Sequence, residues 1–286
     1  MNDVVIRRAF ADLADGQVHY RHAGAARADA LPLLMIHPSP GSSRQLEPLM
    51  TALARTRRVI APDTRGNGDS TPLPMQTQPE IADYARATLA FMDAAGIGRA
   101  DFYGAHTGAC IATELSLLAP DRVGHLVVDG LGLYSPEDRD ELLAVYAPEV
   151  KPDLTGAHLN WAFMFCRDQY LFWPWFKREA THLRKVGLPS AETLHAFSLE
   201  VLKSIGTYHF AYRAAFGYPR RDRLPRLTVP TLAVCSEEDM PFPYLDEVAS
   251  LVPGGRRHVI QDPGTAEGAA AAAAAIAAFL DETHGS

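Results

Sequence analysis

The sequence predicts an α/β fold in which a mostly parallel sheet is interrupted by a helical insertion. Stretches typical of strands and of helices alternate from the N-terminus to about Asp129, an order that favours parallel strands joined by right-handed crossovers. Strand-like runs such as 31–37 and 123–129 are almost continuously apolar, as expected for strands buried on both faces. Between Tyr134 and Leu224 no convincing strand pattern occurs and the aromatic density rises sharply, which indicates a mostly helical unit.

The elements before the insertion follow from apolar spacing and turn residues. Asp15-Gly16 is a hairpin signal between two strands, and a helical spacing of apolar residues ends at Gly96. The predicted strands are 4–13, 17–21, 31–37, 58–62, 101–104 and 123–129, and the predicted helices are 43–55, 79–95 and 107–119.

After the insertion, strand patterns resume at 231–235 and 257–261, and an alanine-rich helix is predicted over Ala266–Leu280. Alanine is the best helix former, so an ordinary packed helix is expected there. The chain has 286 residues, 47% of them hydrophobic, which is enough for one large core with an inserted subdomain. The predicted boundaries are 1–133 and 225–286 for the core and 134–224 for the insertion.

Composition excludes several classes of function. The net charge is −7, and the densest basic segment, 220–226, is short and interrupted, so a nucleic-acid partner is not expected. No apolar stretch approaches the roughly 20 residues that cross a bilayer, and the N-terminus has no signal-like region, so we expect a cytoplasmic protein without a membrane partner. The three cysteines are far apart in apolar stretches, which predicts buried reduced thiols.

Three motifs each follow a predicted strand. They are HPSPGSS at 37–43, DTRGNGDS at 63–70 and GAHTG at 104–108. Their order, spacing and positions at strand ends resemble the α/β-hydrolase superfamily, in which the third motif is the G-x-S-x-G nucleophile elbow. The resemblance implies an eight-stranded, mostly parallel sheet with the insertion 134–224 as its cap. More narrowly, the chain is similar to bacterial α/β-hydrolases with an H-T-G elbow and an R-D-Q…W-P-W cap.

The resemblance also shows where this chain departs from a serine hydrolase. His106 occupies the elbow position usually held by serine, cysteine or aspartate, and Gly104 and Gly108 keep its neighbours small. The backbone amides of Ser39 and Thr107 stand where the superfamily places its oxyanion hole. Thr265 stands where the catalytic histidine is expected, and His258 comes too early, so both the serine and the base of the usual triad are absent.

His106 therefore has two candidate roles, general base or nucleophile, and we favour the base because no second base remains for deacylation. An imidazole base needs a carboxylate to orient it. Asp239 follows the seventh strand and Asp129 follows the sixth, and the sequence leaves both open. The resemblance implies that His37 supports the oxyanion loop, and without a paired ligand motif no metal site is expected.

Four residues of the insertion are candidates for binding substrate or for supporting the site: Trp161, Arg167, Tyr208 and Tyr212. For Arg167, pairing with Asp168 and recognition of an anionic or carbonyl group are equally open. The tyrosines could donate a hydrogen bond, as cap tyrosines do in epoxide-opening members of the superfamily.

The leading prediction is a cofactor-independent enzyme that acts on a small carbonyl compound, hydrolysing an ester, a lactone or a carbon–carbon bond. Proton abstraction by His106 with a lyase or decarboxylase outcome is the second, and a ligand-binding pseudoenzyme is the third. The expected partner is a small-molecule substrate, and a homodimer remains open.

Overall fold

The structure is a computed structural model that describes residues 4–74 and 77–282. Its strands are β1 (Arg7–Leu13), β2 (Gly16–Ala23), β3 (Leu33–Ile36), β4 (Val59–Pro62), β5 (Ala100–Ala105), β6 (Val123–Asp129), β7 (Thr231–Ser236) and β8 (Arg256–Ile260). They form one eight-stranded sheet in the order β1-β2-β4-β3-β5-β6-β7-β8. Strand β2 pairs antiparallel with both β1 and β4, and the remaining pairs are parallel. The predicted fold class is confirmed.

The helices connect and cover this sheet. They are α1 (Glu47–Leu53), α2 (Ile81–Ala94), α3 (Thr107–Leu118), α4 (Pro136–Val145), α5 (Ala157–Leu171), α6 (Ala191–Lys203), α7 (Tyr208–Gly217), α8 (Arg220–Arg223), α9 (Leu245–Leu251) and α10 (Ala266–Leu280). Short 3₁₀ turns occur at Ser43–Leu46, Pro120–Arg122, Ala180–His182, Leu224–Arg226 and Phe242–Tyr244.

Two apolar layers cover the two faces of the sheet. Helices α2 and α3 pack together on one face with a core that includes Phe102 and Leu126. Helices α1 and α10 pack together on the other face, where alternate residues of the same strands, Tyr103 and Val127, are buried. This alternation follows from the two-residue period of a strand. Both faces are covered, which is why the central strands are apolar along their whole length.

Helices α4 to α7 belong to the insertion and form a third, aromatic core of their own around Tyr146, Phe165, Trp175 and Tyr208. The insertion is helical as predicted, apart from one isolated bridge between Phe172 and Leu183. It contributes residues to the cavities that His106 also lines.

The predicted boundaries differ from the structure mainly at element ends. The helix predicted over 43–55 begins as a 3₁₀ turn, because the Ser42 side chain accepts a hydrogen bond from the Arg44 amide and closes a tight turn. The α-helical part starts only at Glu47, with Pro48 in its first turn, where a missing N–H costs nothing. Among the described residues, no helix combines the length and the apolar character needed to cross a membrane.

Candidate active site

His106 lies at a sharp turn between strand β5 and helix α3. Its φ is 50° and its ψ is −107°, and it is the one non-glycine residue with positive φ in the described part of the chain. Its amide donates to the Asp129 carbonyl at 2.8 Å, and its own carbonyl accepts from the Ala109 amide at 3.0 Å. The turn is therefore fixed to the neighbouring strand on one side and to the first turn of α3 on the other.

The flanking glycines explain why the turn requires this local sequence. A Cβ on Gly104 would overlap the Gly108 carbonyl, and a Cβ on Gly108 would overlap the Ile36 carbonyl. Backbone atoms on both sides cannot move away without shifting a central strand, so only glycine fits at either position.

The backbone at His106 should be measurably strained. We expect the His106→Gly variant to be more stable than His106→Ala by about 1 kcal/mol, because positive φ is unfavourable for every residue with a Cβ. Urea unfolding of the two variants measures the difference. Equal stabilities, or a more stable alanine variant, would show that the turn relaxes when the imidazole is removed.

The imidazole of His106 contacts the carboxylate of Asp239, which follows strand β7. His106 Nε2 lies 3.0 Å from Asp239 Oδ2. Gly130 makes room for this pair, since a Cβ there would lie 2.8 Å from Asp239 Oδ2 and 3.0 Å from His106 Nε2. The His106 side chain is 35% exposed, and no described residue forms a hydrogen bond with its Nδ1. If Asp239 accepts the Nε2 proton, Nδ1 carries the free lone pair of the ring.

The charges of this pair stabilise each other. Burial acts to lower the pKa of His106, but the charge and hydrogen bond of Asp239 outweigh burial, so this pKa is raised above the ordinary 6.5. Burial acts to raise the pKa of Asp239, but His106 outweighs it and the pKa of Asp239 is lowered. Asp239 is therefore an ionised partner for the ring at neutral pH.

Asp129 lies at the end of β6 and has a different partner. The Tyr103 hydroxyl donates a hydrogen bond to its Oδ2. Burial, reinforced by the nearby negative charge of Asp239, raises the pKa of Asp129 to about 7 despite this hydrogen bond. Of the two carboxylates that the sequence left open, Asp239 contacts the His106 ring and Asp129 is bound to Tyr103.

The loop after β8 holds no histidine. Thr265 is the N-cap of α10, and its hydroxyl accepts a hydrogen bond from the Gly268 amide at 3.1 Å. The residue in the expected position of the catalytic base thus caps a helix. His258 lies within β8 with an exposed side chain, as its early position in the sequence indicated.

Ser39 and Thr107 line the same cavity as His106. Thr107 is the first residue of α3, so its N–H has no acceptor within the helix. Ser39 lies in the loop after β3, and its N–H has no acceptor among residues 4–74 and 77–282. His37 supports this loop: its Nε2 accepts from the Thr64 amide at 2.9 Å, and its Nδ1 lies 2.8 Å from the Pro38 carbonyl oxygen.

Two adjoining cavities meet at His106 and Asp239, which line both. The large chamber has a volume of about 700 Å³, and its polar lining includes Asp129, Arg184 and Glu200. The small chamber has a volume of about 250 Å³ and contains both Ser39 and Thr107 in its wall. The large chamber alone is within the usual range for small-molecule sites.

The candidates in the insertion occupy different places. Tyr212 lines the small chamber, and its hydroxyl lies 3.1 Å from Gln169 Oε1. Arg167 lines neither chamber and pairs with Asp168 at 2.6 Å, the first of its two alternatives. Trp161 stacks on Phe165 in the core of the insertion. Tyr208 is also in that core, and its hydroxyl donates to the Pro148 carbonyl.

The cavity has cationic residues that the sequence did not single out. Arg184 lines both chambers and Arg220 lines the small one. Arg184 lies in an irregular segment between elements, where no periodicity indicates which way a side chain points. Arg220 belongs to the basic segment 220–226, which looks like solvated surface in the sequence.

One group of potential metal ligands lies beside His106. Ligand atoms of Asp129, Cys235 and Asp239 are all within 4.8 Å of one another. One oxygen of each carboxylate already has a partner, His106 for Asp239 Oδ2 and Tyr103 for Asp129 Oδ2. His37 is not part of this group.

The sequence profile of a family described as alpha/beta hydrolase fold matches residues 32–265. A 2-hydroxy-6-oxo-6-phenylhexa-2,4-dienoate hydrolase of Burkholderia cepacia is 27% identical over 215 residues, which cover 68% of this chain and 71% of that protein. A 2-hydroxymuconate semialdehyde hydrolase of Pseudomonas sp. (strain CF600) is 39% identical over 107 residues, which cover 35% of this chain and 36% of that protein. The enol-lactonase of Burkholderia xenovorans LB400 superposes with a TM-score of 0.68 over 96% of this chain and 100% of that one, at 20% identity, a likeness of fold.

Proposed function

This chain belongs to the α/β-hydrolase family as a hydrolase-like enzyme, and we propose that it hydrolyses a small carbonyl compound with His106 as the general base. The single observation that carries the proposal is the position of the His106 ring. One nitrogen is 3.0 Å from a carboxylate, and the other has no partner among the described residues, in a side chain that is 35% exposed and lines both chambers.

The proposed reaction proceeds without an acyl-enzyme. His106 Nδ1 takes a proton from a water molecule as the water oxygen attacks the carbonyl carbon. The carbonyl π electrons move to oxygen, and the Ser39 and Thr107 amides hold the resulting oxyanion. When the tetrahedral intermediate collapses, the bond to the leaving group breaks and the leaving group takes the proton from His106. The pair is then neutral imidazole and ionised Asp239 again.

The names of related proteins support this substrate class. A dienoate hydrolase and a semialdehyde hydrolase are among the relatives, and an enol-lactonase is among the structures with this fold. Each of these substrates contains a carbonyl group. Esters, lactones and β-diketones are therefore the compounds to test first.

The pH dependence of turnover tests the base role. We expect kcat/KM to be high at alkaline pH and to fall as pH decreases through the pKa of His106, since only the neutral ring accepts a proton. Asp239 raises this pKa, so the half-maximal point should lie above pH 6.5. Asp239→Asn removes the negative charge and should move the acidic limb to lower pH. Asp129 and Arg184 also act on His106 and are unchanged in this comparison.

The control for this experiment is Glu237→Gln, an exposed carboxylate two residues from Asp239 that does not line either chamber. Its profile should coincide with that of the unmodified protein. An acidic limb that stays in place in Asp239→Asn would assign the titration to another group and exclude the proposed pair.

Asp239 and Asp129 should differ in their contribution to kcat. We expect Asp239→Asn to lower kcat by about 10²- to 10⁴-fold at pH 7, because the ring loses its ionised partner. Asp129→Asn should lower kcat by less than about tenfold, because an amide resembles the protonated carboxyl that a pKa of about 7 favours below neutrality. Steady-state kinetics of both variants at one pH measures the difference, and the reverse order would make Asp129 the orienting residue.

A further inference from the structure

The small chamber contains two arginines without a carboxylate partner. Arg184 and Arg220 both line it, together with His106. In the described part of the chain, neither guanidinium forms an ion pair with an aspartate or glutamate. A guanidinium stays charged at any physiological pH, so each brings a full positive charge to the cavity wall.

Arg184 is held by backbone groups. Its Nη1 donates to the Gln169 carbonyl at 2.6 Å, and its Nη2 lies 3.2 Å from the Glu238 carbonyl. These contacts tie the side chain to the insertion and to the loop after β7 without neutralising it. Arg184 is also close enough to lower the pKa of both His106 and Asp239, although other effects on these groups are larger.

Arg220 has an unused donor. Its Nη1 donates weakly to the Tyr218 carbonyl at 3.4 Å, and its guanidinium carbon lies 5.7 Å from the centre of the Tyr134 ring. Its Nε is buried and has no hydrogen-bond partner. A buried donor without a partner is costly, so the protein alone does not satisfy the Arg220 guanidinium.

The fully buried Arg57 and the half-buried Arg223 are paired with carboxylates. Arg57 binds Asp101 and Asp281, and Arg223 binds Glu114 at 2.6 Å. These two arginines, which line neither chamber, are thus neutralised by carboxylates. The two that line the small chamber are left for a group that is not part of the chain.

Several aromatic side chains also line the small chamber. Tyr134, Trp173, Tyr212 and Phe216 line it, and Tyr212 and Phe216 stack with a centroid distance of 5.9 Å. Such surfaces bind flat apolar groups, while the fork of a guanidinium matches the two oxygens of a carboxylate. The small chamber therefore favours a molecule that has both a flat apolar group and a carboxylate.

We propose that the small chamber binds the carboxylate of an aryl or conjugated acid between Arg184 and Arg220, so that the substrate is an anion. This inference rests on the proposed function, since it assigns the substrate class of the same site. The acid end enters the small chamber, the scissile carbonyl lies at the junction beside His106, and the leaving group extends into the large chamber. The arginines bind and position the substrate and take no part in proton transfer.

Equilibrium binding tests the inference without turnover. The unmodified full chain is titrated calorimetrically with benzoate and with benzamide, which has the same ring and no charge. We expect benzoate to bind at least about tenfold more tightly, and added NaCl to weaken benzoate alone. Arg220→Gln and Arg184→Gln should each lose about tenfold in benzoate affinity and leave benzamide unchanged. Arg220→Lys should keep part of the affinity because it retains the charge without the fork.

The matched control is Arg226→Gln, which removes an exposed arginine from the same basic segment and should bind benzoate as the unmodified protein does. Thermal unfolding verifies that each variant is folded. If Arg220→Gln does not fold, the benzoate affinities of Arg220→Lys and Arg184→Gln test the inference instead. Equal affinities for benzoate and benzamide, the absence of benzoate binding, or an equal loss in Arg226→Gln would each overturn the inference.

A second arm separates this inference from the proposed function. His106→Gln should bind benzoate with the affinity of the unmodified protein, because the carboxylate contacts the arginines. If that variant binds benzoate normally but turnover proves independent of His106, the anion site stands and the base role fails. A second outcome is that turnover depends on His106 while the Arg220 and Arg184 variants keep the unmodified protein's preference between a substrate with a free carboxylate and the same substrate with that carboxylate methylated. In that case the base role stands and the anion site fails.

Discussion

Replacement of His106 by glutamine is expected to lower kcat by about 10³-fold on any ester, lactone or β-diketone that the protein hydrolyses, since general base catalysis typically contributes 10² to 10⁴. Glutamine fills a similar volume and forms hydrogen bonds, but it accepts no proton near neutral pH. Its amide can still contact Asp239, so the surrounding side chains have no reason to move. The loss should therefore appear in kcat, with substrate binding largely retained.

His258→Gln is the matched control, because it makes the same change at an exposed histidine of β8 that does not line either chamber. Its kinetics should equal those of the unmodified protein. Turnover that survives in both His106→Gln and His106→Ala would remove this ring from the mechanism. A panel of aromatic esters, lactones and β-diketones with both variants makes that outcome visible even before the natural substrate is known.

The second large effect concerns stability. Gly108→Ala should lower the free energy of unfolding by about 3 kcal/mol or more, because the new Cβ overlaps the Ile36 carbonyl and lies 2.9 Å from the His37 carbonyl. Ile36 is the last residue of the central strand β3 and His37 follows it, and both are fully buried, so these carbonyls cannot move away. Urea unfolding followed by circular dichroism measures the change.

Gly98→Ala is the control, because Gly98 has ordinary φ and nothing within 4 Å of the added Cβ. Its free energy of unfolding should change by less than about 0.5 kcal/mol. If Gly108→Ala lowered the free energy of unfolding as little as Gly98→Ala does, the elbow and β3 could separate. The close approach of α3 to the sheet would then not be required.

Much of the fold is visible in the sequence because it depends on local patterns. The apolar run that forms β6 ends at Asp129 in both the prediction and the structure, and the alanine-rich helix over Ala266–Leu280 has the predicted bounds. Strands buried on both faces and a helix of small residues leave few alternatives. The start of α1 was predicted too early, because the serine cap of a 3₁₀ turn and the N-cap of an α-helix have the same residue signal.

The site was only partly predictable, because its geometry depends on residues that are distant in the chain. Asp129 and Asp239 both follow parallel strands, and the ends of such strands meet at one edge of the sheet, so position alone cannot separate them. The contact of His106 with Asp239, and that of Asp129 with Tyr103, depend on side-chain directions.

The sequence also does not indicate which arginines line the cavity. Arg167 stands out in the sequence because its neighbours are apolar, yet its charge is satisfied by the next residue, Asp168. Arg184 lies in an irregular segment and contacts the Gln169 and Glu238 carbonyls, whereas Arg220 is the first residue of the one-turn helix α8. A segment without periodicity gives no indication of which side faces a ligand.

The protonation of His106 is the most direct test of the whole account, and it requires no substrate. Nitrogen NMR of protein labelled with ¹⁵N-histidine, with the His106 signals assigned by their loss in His106→Gln, gives both the tautomer and the pKa. The account predicts a ring protonated at Nε2 and free at Nδ1, with a pKa above 6.5 that falls in Asp239→Asn. A ring protonated at Nδ1, or a pKa that Asp239→Asn leaves unchanged, would contradict it.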